Sequence, residues 1–276
     1  MLNDVMVHLD GTQADARRVE AANDVAACFD SHLVGLFLNP LPDIVPADGV
    51  STVVVADLIE AARRAGDTTE AQLIARLRRL GRPVEIRRFD AFPDTIPRVA
   101  AREARSADVF IDLRPAASAN GAEVDRTVES VLFGSGRHLL LIPGEPRLRD
   151  RFRHALVAWN GSREATRGLA EALPYLHRSQ AVAVVVVREG DAAEENALIG
   201  SDAVKHLRHH GIHAHLSHAK AAGGDVGPAL VQEAGRLQAD LMVMGGYGHS
   251  RVREWLLGGV SRYLLHHAPV PLVIAH

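Results

Sequence analysis

Leu241-Met-Val-Met-Gly-Gly-Tyr-Gly-His-Ser-Arg-Val-Arg-Glu-Trp-Leu-Leu-Gly-Gly-Val-Ser261 decides the fold of this chain. The stretch opens as an apolar run with the length and bulk of a buried strand. It breaks at Gly245, Gly246 and Gly248, then resumes as a short helical pattern ending in Gly258 and Gly259. A second helical pattern, Val260 to His266, follows directly. In α/β proteins, a buried strand that opens into glycines and meets helix N-termini is where phosphate groups are held. Backbone N–H groups point outward there, and residues without side chains admit an anion closely.

The same rhythm extends in both directions. Upstream, Ala155–Trp159 reads as a strand ending in the turn Asn160-Gly-Ser162. Arg163–Leu176, Glu194–His209 and Gly227–Leu237 read as helices between the strands Val182–Val187, Ile212–His218 and Leu241–Met244. Leu272–Ala275 closes the series. The first half has the same layout. Its strands are Val5–Leu9, Leu33–Leu38, Val84–Phe89, Val109–Leu113 and Leu139–Ile142, and its helices include Ala14–Phe29, Ile96–Arg105 and Val124–Phe133. A long helical stretch, Ser51–Leu80, is expected to be interrupted near Gly66. Leu9-Asp10-Gly-Thr12 parallels Trp159-Asn160-Gly-Ser162, and Ala107-Asp-Val-Phe-Ile111 parallels Ala239-Asp-Leu-Met-Val243. The chain is an internal duplication joined by the polar linker Gly144–Asp150, with domains expected at 1–148 and 149–276. Strands alternating with helices through short loops imply an α/β fold. Each half is then a five-stranded parallel sheet with helices on both faces. Ligands of such sheets sit beyond the carboxyl ends of the strands, where the strand order reverses.

Composition excludes several classes. The formal charge of −3 makes no global case for nucleic acid or an anionic membrane, and Lys205 and Lys220 are the only lysines. No apolar run reaches transmembrane length, and Met1–His8 lacks a basic leader, so a cytoplasmic protein is expected. Cys28 is alone, which excludes an internal disulfide and suits a reducing compartment.

Gly245-x-x-Gly248, nine residues, then Gly258 resembles the nucleotide-binding signature of the universal stress protein family. The strand-plus-turn pairs at Asp10-Gly-Thr12 and Asn160-Gly-Ser162 resemble its opening. The resemblance covers nearly the whole chain as two tandem copies. It implies two Rossmann-like domains of the adenine-nucleotide α-hydrolase-like kind, packed as a pseudo-dimer through their fifth strands, with a homodimer as a further expectation. It also implies ATP or another adenine nucleotide as ligand, with or without magnesium. Carried onto this sequence, Gly245, Gly248 and Gly258 match the phosphate loop, and Gly259, Val260 and Ser261 follow it. Met244 would flank the ribose. Ala158 and Asn160 would line the adenine side, with Val186 or Val187 supplying backbone contacts.

The second half departs from that pattern twice. Gly259 stands where the family has Ser or Thr, and Asn160 stands where it has a carboxylate. An amide is a poor ligand for a hard cation, which weakens the case for magnesium, while Arg251 and Arg253 offer direct charge. The first half departs further: Asp112-Leu-Arg-Pro115 replaces the glycine loop, and Arg114 and Pro115 bring bulk where backbone should approach a ligand. Gly134-Ser135 reads as the third glycine and its serine, but with too few residues before the final strand for a phosphate-facing helix. That half is expected not to bind nucleotide.

Other clusters read as structural. His206, His209 and His210 share a helical face and His213 and His215 a strand face, without a carboxylate–histidine signature. Arg76, Arg78, Arg79, Arg82, Arg87 and Arg88 read as a solvated basic face. Trp255, between Val252 and Leu256, reads as packed, and Tyr247 as packing on a base or partner. No lysine falls in a G-x-x-x-x-G-K setting and no general base is identifiable. The expected function is a stress-response protein whose second half binds an adenine nucleotide as a regulatory or binding module. The alternatives are a nucleotide-free interaction protein of the same fold, or a slow ATPase or other hydrolase.

Overall fold

The computed structural model describes residues 1–43, 52–115, 126–144, 152–188, 195–221, 224–246 and 259–276, with only the backbone at 195–198. The chain divides into two compact units. One comprises Leu2–Asp112 and Asp125–Arg137; the other comprises Met1, Leu113–Val124 and His138–His276.

The N-terminal unit runs β1 (Asp4–Leu9), α1 (Asp15–Phe29), β2 (His32–Pro40), α2 (Thr52–Arg78), β3 (Val84–Ala91), α3 (Ile96–Ala104), β4 (Val109–Leu113) and α4 (Arg126–Gly134). Its strands lie in the order β3-β2-β1-β4, and every pairing is parallel. Leu33, Val34, Leu36, Phe37 and Leu38 are all buried, as expected for a strand covered on both faces.

Helix α2 corrects the sequence expectation at Gly66, because it runs unbroken from Thr52 to Arg78. Gly66 instead admits neighbours. A Cβ there would lie 2.5 Å from both Arg88 Nη2 and Asn39 Nδ2. Those side chains use the gap to donate to the carbonyls of Arg63 at 2.8 Å and Ala62 at 3.3 Å. Arg88 also pairs with Glu70 at 3.1 Å and Asp90 at 2.9 Å, so part of the basic cluster is locally neutralised.

The C-terminal unit holds β5 (His138–Ile142), β6 (His154–Ala158), α5 (Arg163–Leu176), β7 (Ala181–Arg188), α6 (Glu195–His209), β8 (Ala214–Lys220), α7 (Val226–Arg236), β9 (Leu241–Gly245), α8 (Gly259–His267) and β10 (Leu272–Ala275). Strand order is β5-β10-β9-β6-β7-β8. All its pairings are parallel except β5–β10, which is antiparallel with Leu141 opposite Leu272 and Leu139 opposite Ile274. The two strands expected to join the halves therefore pair directly. A buried polar contact anchors β5 to α5. His138 is fully buried, with Nε2 3.0 Å from the Tyr175 hydroxyl and Nδ1 3.0 Å from Glu171 Oε2. Among the described residues, no helix is long and apolar enough to cross a membrane.

The duplication is visible in register. Val5 pairs with Val109 between β1 and β4, and Ala155 pairs with Leu241 between β6 and β9. Counting from these pairs, His8 occupies the place of Ala158, Asp112 that of Met244, and Arg18 that of Gly168. The turn glycines Gly11 (φ 80°) and Gly161 (φ 74°) share the left-handed conformation that favours glycine.

Candidate functional site

The strand order of the C-terminal unit reverses between β6 and β9, where α/β sheets open a crevice at their carboxyl ends. Strand β6 ends at Ala158, and the Trp159 N–H donates to the Val185 carbonyl at 2.9 Å. Asn160 then folds into an Asx turn, its Oδ1 accepting the Ser162 N–H at 3.1 Å. Ser162 caps α5, its hydroxyl accepting the Ala165 N–H at 3.1 Å.

On the other side of the crevice, Gly245 sits under the first turn of α5. A Cβ there would fall inside the backbone of Glu164 and Ala165. Gly168 faces back, and a Cβ there would lie 2.5 Å from the Met244 carbonyl oxygen. The two glycines hold α5 directly on β9. Gly245 therefore has a packing requirement of its own, apart from any ligand.

Between these walls lies a cavity of about 420 Å³. Ala158, Trp159, Asn160, Ser162 and Ala165 line one side, Val185–Val187 and Ile199 the second, Val226 and Leu230 of α7 the third. Met244, Gly245, Gly259, Val260 and Ser261 complete the described lining. The walls are mostly apolar, and polar groups are few: Asn160, Ser162, Ser261 and the first turn of α8. The leading N–H groups of a helix have no intrahelical acceptor and carry the positive end of its dipole, so this end suits an anion. Gly259 is exposed, and among the described residues nothing lies within 4 Å of where its Cβ would be.

The structure thus brings Ala158, Asn160, Val187, Met244, Gly245, Gly259, Val260 and Ser261 around one cavity. Gly248 and Gly258, with Tyr247, Arg251, Arg253 and Trp255, lie outside the described residues. Sequence reasoning passed over Trp159, Ala165, Val185, Ile199, Val226 and Leu230. Val226 and Leu230 carry a signal, an i,i+4 apolar pair at the start of a helix, which says that they share its inward face but not what that face meets; Leu230 is buried and Val226 half-buried. Ile199 carries none: its carbonyl accepts the Trp159 indole N–H at 2.9 Å, a contact across 40 residues.

The same place in the N-terminal unit is filled by side chains. His8 Nδ1 lies 2.7 Å from Asp112 Oδ2, and Arg18 Nε donates to Asp112 Oδ1 at 2.8 Å. Arg18 Nη1 reaches Asp15 at 2.9 Å and Asp10 at 2.7 Å. Asp15 also accepts the backbone N–H of Gly11 at 2.8 Å. Asp15, Asp112, His8 and Arg18 are all buried. Burial alone would lower the His8 pKa; the Asp112 charge and hydrogen bond outweigh it and leave the imidazole raised. Burial would raise Asp10, but hydrogen bonds from Thr12 and the Arg18 charge hold it at about 2. Burial raises Asp15.

Gly134-Ser135 requires a correction. Helix α4 occupies the place before β5 that α8 occupies before β10, so Gly134 closes its helix where Gly259 opens one. Ser135 finishes that C-terminus, its hydroxyl donating to the Val131 carbonyl at 2.6 Å and accepting the Arg137 N–H at 3.0 Å. The pair is not a remnant of the third glycine and its serine. The histidines are unremarkable: His206 and His210 pack edge to face at 4.6 Å. Among the described residues, no group of three or more His, Cys, Asp or Glu is placed to hold a metal.

The model of the universal stress protein family matches residues 151–276. No curated protein matches the chain by sequence. Among solved structures, a universal stress protein from Archaeoglobus fulgidus DSM 4304 is similar over 99% of this chain and 96% of its own, at 16% identity and a TM-score of 0.75. A putative universal stress protein from Pseudomonas aeruginosa UCBPP-PA14 is similar over 99% and 93%, at 13% identity and a TM-score of 0.58. A universal stress protein family protein from Arabidopsis thaliana, solved with AMP bound, covers 45% of this chain and 90% of its own, at 19% identity and a TM-score of 0.34. Residues 151–276 are thus similar to the universal stress protein family, and over its whole length the chain has the fold of the Archaeoglobus fulgidus protein.

Proposed function

We propose that the crevice between β6 and β9 binds an adenine nucleotide, and that the chain works as a binding or regulatory module rather than a fast enzyme. The observation that carries this reading is the cavity of about 420 Å³ that gathers the β6 turn, the end of β9 and the N-terminus of α8. Its volume lies within the roughly 300–1,000 Å³ of small-molecule sites, and its apolar walls with few polar groups suit a base and sugar. The base would lie along Ala158 and Val185–Val187, and the phosphates would run toward Gly259–Ser261 and the helix dipole. ATP, ADP and AMP share this chemistry, with magnesium disfavoured by Asn160 in place of a carboxylate.

Asn160, which stands on this wall in place of a carboxylate, is an amide and cannot take a proton from an attacking water. Any hydrolysis is slow on this reading. The domain at 1–148 stays empty, because His8, Arg18 and Asp112 occupy the volume a ligand would need. Each chain then takes one nucleotide, through the domain at 149–276.

Isothermal titration of the full chain with ATP, ADP and AMP, with and without magnesium, tests the proposal. Saturable binding with one site per chain is expected. Flat titrations at high micromolar nucleotide would refute it in favour of a nucleotide-free interaction module. Small molecules released from the purified, denatured protein would identify the ligand independently.

A further inference from the structure

Helix α2 has 27 residues, but its buried positions, Gly66, Leu73 and Leu77, all lie in its second half. Between Thr52 and Ala65 no residue is buried. That segment is not polar. Val54 is 50% exposed and Leu58 47% exposed, and Ala61 and Ala65 are exposed as well. Their spacing of four, three and four residues sets Val54, Leu58, Ala61 and Ala65 on one seam of the helix. The segment also opens with three consecutive valines, Val53–Val55, which are weak helix formers because χ1 is restricted against the preceding turn. A helical turn built from such residues depends on burial of its apolar face rather than on propensity.

We propose that this seam is a self-association surface, through which two copies of the chain pair by laying the first halves of α2 against each other in antiparallel. The seam is self-complementary in shape and in charge. In antiparallel register, Val54 meets Ala65 of the second copy and Leu58 meets its Ala61, so each large residue faces a small one and the helices approach closely. Asp57 and Arg64 are seven residues apart, on the same flank of the seam. Within one chain they are separated by two turns, about 10 Å, and do not meet. In the antiparallel pair, Asp57 of each copy lies beside Arg64 of the other, which gives two ion pairs by symmetry. Among the described residues, the Arg64 guanidinium pairs with an exposed Glu60 at 3.5 Å, a contact readily exchanged. A twofold arrangement uses the same patch on both copies and closes at the dimer.

Sedimentation analysis of the full chain across a concentration series tests this. A reversible dimer is expected, and Leu58→Asp should convert it to monomer. Asp57→Arg and Arg64→Asp should each weaken the dimer about tenfold, because two attractions become two repulsions. The double exchange Asp57→Arg with Arg64→Asp should restore it. That rescue can come only from contact between copies, and circular dichroism confirms that each variant is folded. A chain that stays monomeric up to its solubility limit overturns the proposal. So does a dimer indifferent to Leu58→Asp, or one whose single charge variants are not rescued by the double exchange.

Discussion

Replacing Gly259 by serine should tighten nucleotide binding without disturbing the protein. The position is the first described residue of α8 and lines the cavity, and among the described residues the added Cβ meets nothing within 4 Å. Gly259 lies within the α-helical bounds of α8, a backbone that an L-residue adopts. Serine near a helix start is also favourable, and loss of glycine's freedom in the unfolded chain adds about 0.4–1 kcal/mol of stability. A hydroxyl donating to a charged phosphate contributes about 1.5–3 kcal/mol, so affinity should rise roughly tenfold to hundredfold. Titration calorimetry of the Gly259→Ser protein against wild type, with ADP and ATP, reads this directly. Gly259→Ala is the control, since it adds the Cβ without the hydroxyl and should leave affinity near wild type. Unchanged affinity in a folded Gly259→Ser protein would mean that the phosphates do not run to this helix. The placement of the ligand would then be wrong even if binding itself stood.

The other predictions concern stability. Gly245→Ala should destabilise the ligand-free protein by about 1–3 kcal/mol or more, because the methyl enters the backbone of α5; thermal melts without nucleotide would show it. An effect seen only in affinity would mean that this glycine serves the ligand alone. Arg18→Leu should cost about 3–5 kcal/mol, since it leaves three carboxylates facing one another, while the number of nucleotides bound per chain stays the same. His8 has a raised pKa in the folded state, so its contribution is complete below about pH 6.5 and fades as pH climbs through the folded value; His8→Gln should flatten that slope in denaturant titrations. Asp10 runs the other way. Its stabilisation holds above pH 3.8 and is lost as pH falls toward about 2, a loss that Asp10→Asn should lack.

The alternation of strands and helices was legible because it is written in local periodicity. Arg163–Leu176 and Leu272–Ala275 have the bounds in the structure that their apolar patterns predict. Gly66 misled because glycine is a poor helix former in isolation, and nothing local announces that Arg88 and Asn39 need the space it leaves. Gly134-Ser135 misled for a related reason. A Gly-Ser pair reads alike at either end of a helix, and only the helix that ends at Gly134, with the Ser135 hydroxyl donating to the Val131 carbonyl, shows which end it is.

The glycine spacing, the turns after the first strands and the duplication are properties of order along the chain. From the sequence alone they set the α/β class, the two repeats and the crevice that would hold a ligand. What closes the first repeat is not such a property. His8, Arg18 and Asp112 come from three separate elements, and none is unusual beside its sequence neighbours. Only the register of β1 against β4, with α1 lying across them, brings their charges within 2.7–2.8 Å. Local pattern sets which face of an element is buried. The partner it meets there is a matter of long-range packing.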